Sequence, residues 1–135
     1  DRPPCGFELA PAAFWTGLLA SENTKHEAFE IVKTWTTAER EHLNKSAYTI
    51  NLNQEGPAGK TIRQWIKTFS SLSVKGLKER AKFFGIESER KFLEPFINDV
   101  LSKGPKSIQT QAAHKASGLP IVDFLQQEHQ LNSPN

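Results

Sequence analysis

Apolar residues recur at helical spacing in one segment after another of this chain, and that periodicity leaves little room for a sheet. Ile62, Trp65, Ile66 and Phe69 fall at i, i+3, i+4 and i+7. Phe14, Trp15, Leu18 and Leu19 repeat the pattern behind Pro11, and Ala28, Ile31, Val32 and Trp35 form another apolar stripe. Strand signals are scarce, so the fold class expected is all-α: a compact multi-helix single domain over residues 1–135. That length suits one core, because domains commonly run to about 100–150 residues.

The punctuation divides the domain into helical parts. N-terminal helices are expected in residues 1–47, where Thr36-Thr37-Ala38-Glu39 reads as a capping box. Residues 48–59 carry Asn51, Asn53, Gly56, Pro57 and Gly59, the composition of a long loop. A basic helical part follows over 60–103. There the spacing predicts one helix over 60–70 and, with Ser73 as cap, a second over Val74 to Phe84 that Gly85 stops in the left-handed conformation. Pro95 is best placed in the first turn of a helix ending at Leu101, with Arg90 to Leu93 as a preceding turn or an extension. A closing pair occupies 107–131: Ser107 caps Ile108 to Ala116, Gly118 closes that helix, and Pro120 opens the last. Residues 132–135 are expected to fray.

Composition excludes several classes. With 37% hydrophobic residues, including 9 Phe and 3 Trp, the chain is too apolar to remain wholly disordered. No uncharged apolar run approaches the ~20 residues of a membrane span, so a membrane is not among the expected partners. Cys5 is the only cysteine, which argues against a disulfide-stapled secreted domain and for a nuclear or cytoplasmic location. The absence of Met, even at position 1, points to a segment of a longer protein.

Charge is uneven. Residues 60–106 hold 11 Lys and Arg against 5 acids, whereas residues 1–59 hold 5 against 8. A basic stretch on a nearly neutral chain points to one cationic face. Lys75, Lys78 and Lys82 are three and four residues apart and therefore share a helix side. With Arg90 and Lys91 they form the candidate phosphate-binding set, which Lys60, Arg63 and Lys67 extend. Such a surface binds mainly by charge and reads little sequence.

The run Leu72-Ser73-Val74-Lys75-Gly76-Leu77-Lys78-Glu79-Arg80-Ala81-Lys82-Phe83-Phe84-Gly85-Ile86 resembles the first half of a SAP motif, a helix, extended turn, helix unit of nuclear DNA-binding proteins. Ser73, Val74, Leu77, Lys78, Gly85 and Ile86 carry that resemblance. Lys91, Leu93, Phe96 and Ile97 match its second half more loosely, and the likeness spans residues 72–103. It departs from the family at Glu87-Ser88-Glu89-Arg90, where a turn glycine is usual, and at Pro95. The resemblance implies a non-catalytic DNA-binding module of a larger nuclear protein. The alternative expectation is a helical protein-interaction domain that recruits a partner through exposed aromatics such as Phe83 or Phe92.

No catalytic constellation is complete, and no cofactor, metal or small-molecule substrate is expected. Gly56-Pro57-Ala58-Gly59-Lys60-Thr61 ends like a phosphate-binding loop but has Gln54 where its first glycine belongs. Glu39 and His42 have di-iron spacing, yet the second pair required would need a carboxylate at Gln126. Cys5 has no base to activate it. Trp15, Trp35 and Trp65 each sit on an apolar stripe and are expected to share a core. Residues 109–125 resemble a helix-turn-helix in outline, but the second helix lacks Lys and Arg, which leaves packing or partner binding as its role.

Overall fold

The computed structural model describes residues 6–49 and 51–131, with side chains through Glu128. Cys5 and the C-terminal residues 132–135 lie outside the described residues. Seven α-helices account for the described fold, together with one 3-10 turn at Pro57–Gly59 and a single bridge between Glu55 and Thr61. The fold is all-α.

Helix α1 (Ala10–Leu19) opens with Pro11 in its first turn, where a missing N–H costs nothing. Helix α2 (Glu22–Val32) follows after a two-residue turn, and α3 (Thr37–Ser46) starts from the expected capping box. Thr36 N–H donates to Glu39 Oε2 at 2.7 Å, and Glu39 N–H donates back to Thr36 Oγ1 at 3.2 Å. The other Glu39 oxygen accepts from Ala58 N–H at 2.6 Å, tying α3 to the 3-10 turn. Ala58 holds a left-handed φ of 55°, a conformation costly for a residue with a Cβ. Donations to the Glu39 carboxylate from Ala58 N–H, Thr36 N–H and the Thr36 hydroxyl hold it below its ordinary value, the Ala58 bond contributing most.

The central element corrects the expectation of two helices. Ile62–Phe84 is one helix of 23 residues, α4, capped by a Thr61/Gln64 box rather than by Ser73 and closed by Gly85 at φ 65°. Ser73 does not cap because its hydroxyl is committed to tertiary structure: fully buried, it donates to Phe14 O of α1 at 2.8 Å. Gly76 also lies inside α4, at the crossing with α1. A Cβ there would collide with Gly17 O and reach Thr24 Oγ1 at 3.0 Å, while a Cβ at Gly17 would strike the Ser73 backbone. Both glycines are needed for backbones to approach this closely. Thr24, likewise buried, places its hydroxyl 3.2 Å from the carbonyl oxygens of Gly17, Leu18 and Ser21.

Helix α5 (Arg90–Lys103) resolves the second ambiguity in favour of the extension, with Pro95 inside the helix. The core sits where α1, α4 and α5 meet: Ala13, Leu77 and Leu93 are buried there, with Phe14, Val74 and Ile97 packed around them. Fully burying a Leu stabilises by about 1.5–3 kcal/mol, so Leu77 and Leu93 are principal contributors. A second cluster joins Trp35, Trp65 and Phe69, with centroids 5.1 Å apart for the Trp pair, and Trp65 Nε1–H donates to Pro57 O at 2.8 Å. Trp15 does not join it. It is 60% exposed and packs edge-on against Phe14, because α1 turns its small residues toward α4.

Helices α6 (Lys106–Ser117) and α7 (Ile121–Leu131) form the expected closing pair. Helix α6 begins behind Pro105, and Ser107 makes no capping bond. Gln109 Nε2 links α6 to the end of α5 by donating to Asp99 Oδ2 at 2.9 Å and Gly104 O at 2.8 Å. The Gln109 donation to Asp99, with that from Lys103, holds the Asp99 carboxyl below its ordinary value.

Candidate nucleic-acid interface

Because α4 does not break at Ser73, the two basic groups expected on separate helices lie on one element. At 3.6 residues per turn, Arg63, Lys67, Lys75, Lys78 and Lys82 fall along one side of it, spanning about 28 Å of helix axis. The opposite side carries Ser73, Gly76 and Leu77, which face α1 and the core.

The cations on this side are not equivalent. Lys67, Lys78 and Lys82 are exposed and, among the described residues, have no ion-pair partner. Lys75 is tied across to Glu27 of α2, whose carboxylate raises the lysine above its ordinary pKa. Arg63 is structural: Nε donates to Asn53 Oδ1 at 3.0 Å and Nη1 donates to Leu101 O at the end of α5. Lys60 lies before the helix, its ammonium 4.6 Å from the centre of the Trp65 ring.

The second half of the expected set is internally compensated. Lys91 pairs with Glu87 at 2.6 Å, and Arg90 approaches Glu94 at 3.8 Å. Exposed pairs of this kind contribute about 0–1 kcal/mol to stability, but each acid must be displaced before its cation meets a phosphate. Of eight expected contacts, Lys60, Lys67, Lys78 and Lys82 have no acid partner among the described residues, and the last three lie on one face of α4. Arg63, Lys75, Arg90 and Lys91 are engaged by other groups.

Between α4 and α5 runs an open groove of about 690 Å³. Val74, Ile97 and Leu101 supply apolar lining, Lys67 and Lys78 belong to its cationic edge, and Glu79 and Glu94 contribute acids. Sequence reasoning missed this groove, since it depends on where Pro95 lets α5 run.

Beyond the lysine row, at the end of α4, the aromatics diverge. Phe83 is 82% exposed and Phe84 61%, with ring centroids 4.9 Å apart and planes at 88°. The Arg80 guanidinium lies 5.2 Å from the centre of the Phe84 ring and is itself held by Glu89. Phe92, also on the exposed side, carries Lys91 at 5.4 Å from its ring centre.

The other motifs have structural roles. The Gly56 to Thr61 segment forms the 3-10 turn and the α4 cap, and Glu39 serves the α3 cap and Ala58. Among the described residues, no three His, Cys, Asp or Glu side chains come together as a metal site, and no helix is long and apolar enough to cross a membrane. No protein-family model, curated protein or solved structure matches the chain, so the likeness of residues 72–103 to a SAP motif stands on the residues that carry it.

Proposed function

We propose that this chain is a non-catalytic DNA-binding module of a larger nuclear protein, gripping the phosphate backbone with Lys67, Lys78 and Lys82. The observation that carries this reading is the uncompensated lysine row on one unbroken helix. Lysines placed this way supply charge without bidentate base recognition, so binding is largely indifferent to sequence. Lys75 adds a fourth contact at the cost of its pair with Glu27.

Three phosphate contacts make a definite salt dependence. For a duplex, the logarithm of affinity falls with the logarithm of salt at a slope of about −2.7, so a fourfold rise in salt weakens binding about fortyfold. Fluorescence anisotropy with labelled DNA at several salt concentrations measures the slope directly. A folded variant with Lys67, Lys78 and Lys82 all changed to Glu is expected to lose binding. Absence of binding by the wild-type protein at low salt would sink the proposal and direct attention to a protein partner.

A further inference from the structure

We infer that the groove between α4 and α5 receives one unpaired base of a nucleic-acid strand whose phosphates are held on the rim by Lys67 and Lys78. The inference rests on the phosphate-binding reading of α4 and specifies the form of its substrate.

The groove and these lysines share one face. At about 100° per residue, Lys67, Ser71, Val74 and Lys78 lie within about 60° of one another around α4, and all four line the groove. On the opposite wall, Glu94, Ile97, Asn98 and Leu101 recur at i, i+3, i+4 and i+7 of α5. Lys67 and Lys78 are about 16 Å apart along the axis, so the stretch from Ser70 to Val74 lies between them. Neither lysine has an ion-pair partner among the described residues. A strand held at both therefore passes over a cleft of about 690 Å³, the size of a small-ligand site.

Charge decides which part of the strand enters. Glu79 and Glu94, half-buried in the groove, repel phosphate and keep it on the rim. A base is uncharged: its faces suit Val74, Ile97 and Leu101, and an exocyclic amino group suits a carboxylate acceptor. Arg90 comes no nearer to Glu94 than 3.8 Å, beyond hydrogen-bond length. Ser70, 6% exposed, lines the same cleft, and its hydroxyl has no hydrogen-bond partner among the described residues, which favours a polar occupant beside it. An apolar partner surface would bury these polar groups unpaired. A duplex keeps its bases turned inward, away from a cleft that lies outside its phosphates.

The test compares three labelled probes of equal length by anisotropy at neutral pH: oligodeoxycytidylate, whose base carries an amino donor, an abasic single strand, and a duplex. The proteins are wild type, Ser71→Leu and Asn98→Leu, which fill the groove from its two walls. Wild type is expected to bind oligodeoxycytidylate about tenfold tighter than the abasic strand, the scale of one well-made base contact. Both variants should lose that advantage and retain wild-type affinity for the abasic strand and the duplex, because every lysine is untouched. Ser71 and Asn98 are exposed, so the variants keep the fold, which circular dichroism verifies. Equal wild-type affinity for oligodeoxycytidylate and the abasic strand overturns the groove inference while leaving the phosphate reading standing. So does an advantage that survives in either filled variant. Failure of every probe to bind at low salt overturns both.

Discussion

The α1–α4 crossing and the α6–α7 pair are both contacts between two helices, and they use opposite means. At the crossing, Gly17 and Gly76 remove side chains so that backbones meet, and the buried hydroxyls of Ser73 and Thr24 bond to carbonyls there. In the C-terminal pair, Phe124 is buried beside His114 with ring centres 5.2 Å apart, and Ile121, Val122 and Leu125 remain exposed. The first contact tolerates no added volume and anchors the molecule. Among the described residues the second buries one ring, and Gln109 bonds join it to the body. The closest approach of two backbones in this fold is therefore made where the side chains are smallest.

Three measurements test that contrast. Gly76→Val inserts branched carbon into the backbone of α1 and should cost about 3 kcal/mol or more, read as a fall in the urea midpoint. A variant as stable as wild type would break the comparison. Phe124→Ala should act locally: amide exchange in α6 and α7 accelerates about tenfold or more, while global stability changes by less than ~1 kcal/mol. Cooperative unfolding of the whole molecule in that variant would show the pair to be integral to the core. The smallest effect is expected at the α3 tie. Glu39 has a lowered folded-state pKa, so its stabilisation is fully present above the ordinary value of 4.5 and is lost as pH falls through the lowered one. The Ala58 amide resonance, followed by NMR on acidification, should lose its hydrogen-bonded shift below pH 4.5 rather than above it.

What could be read from the sequence was what depends on neighbours along the chain. The Thr36/Glu39 box, Pro11 in the first turn of α1, and Gly85 as a left-handed stop are each decided within four residues. The helical class follows from such local signals and from apolar period. Ser73 shows where that reasoning ends. A serine before Val74 is a good cap in isolation, but Phe14 O, distant in sequence, supplies a better partner and the helix continues. The same applies to the candidate site: the spacing of Lys75, Lys78 and Lys82 was legible, whereas the loss of Lys75 to Glu27 and of Arg63 to Leu101 O was not. Trp15 failed for a related reason, since its helix spends its inward face on Ala10, Ala13 and Gly17.

The tight crossing also acts as a rotational clamp. With Gly76 able to meet α1 at only one azimuth, the angular phase of every other residue on α4 is set, including the row from Lys67 to Lys82. A single residue inserted between Leu77 and Lys78 would turn Lys78 and Lys82 by about 100° relative to Lys67, and would turn the buried Ala81 with them. Small residues at the centre of the molecule thus govern which way its charge points.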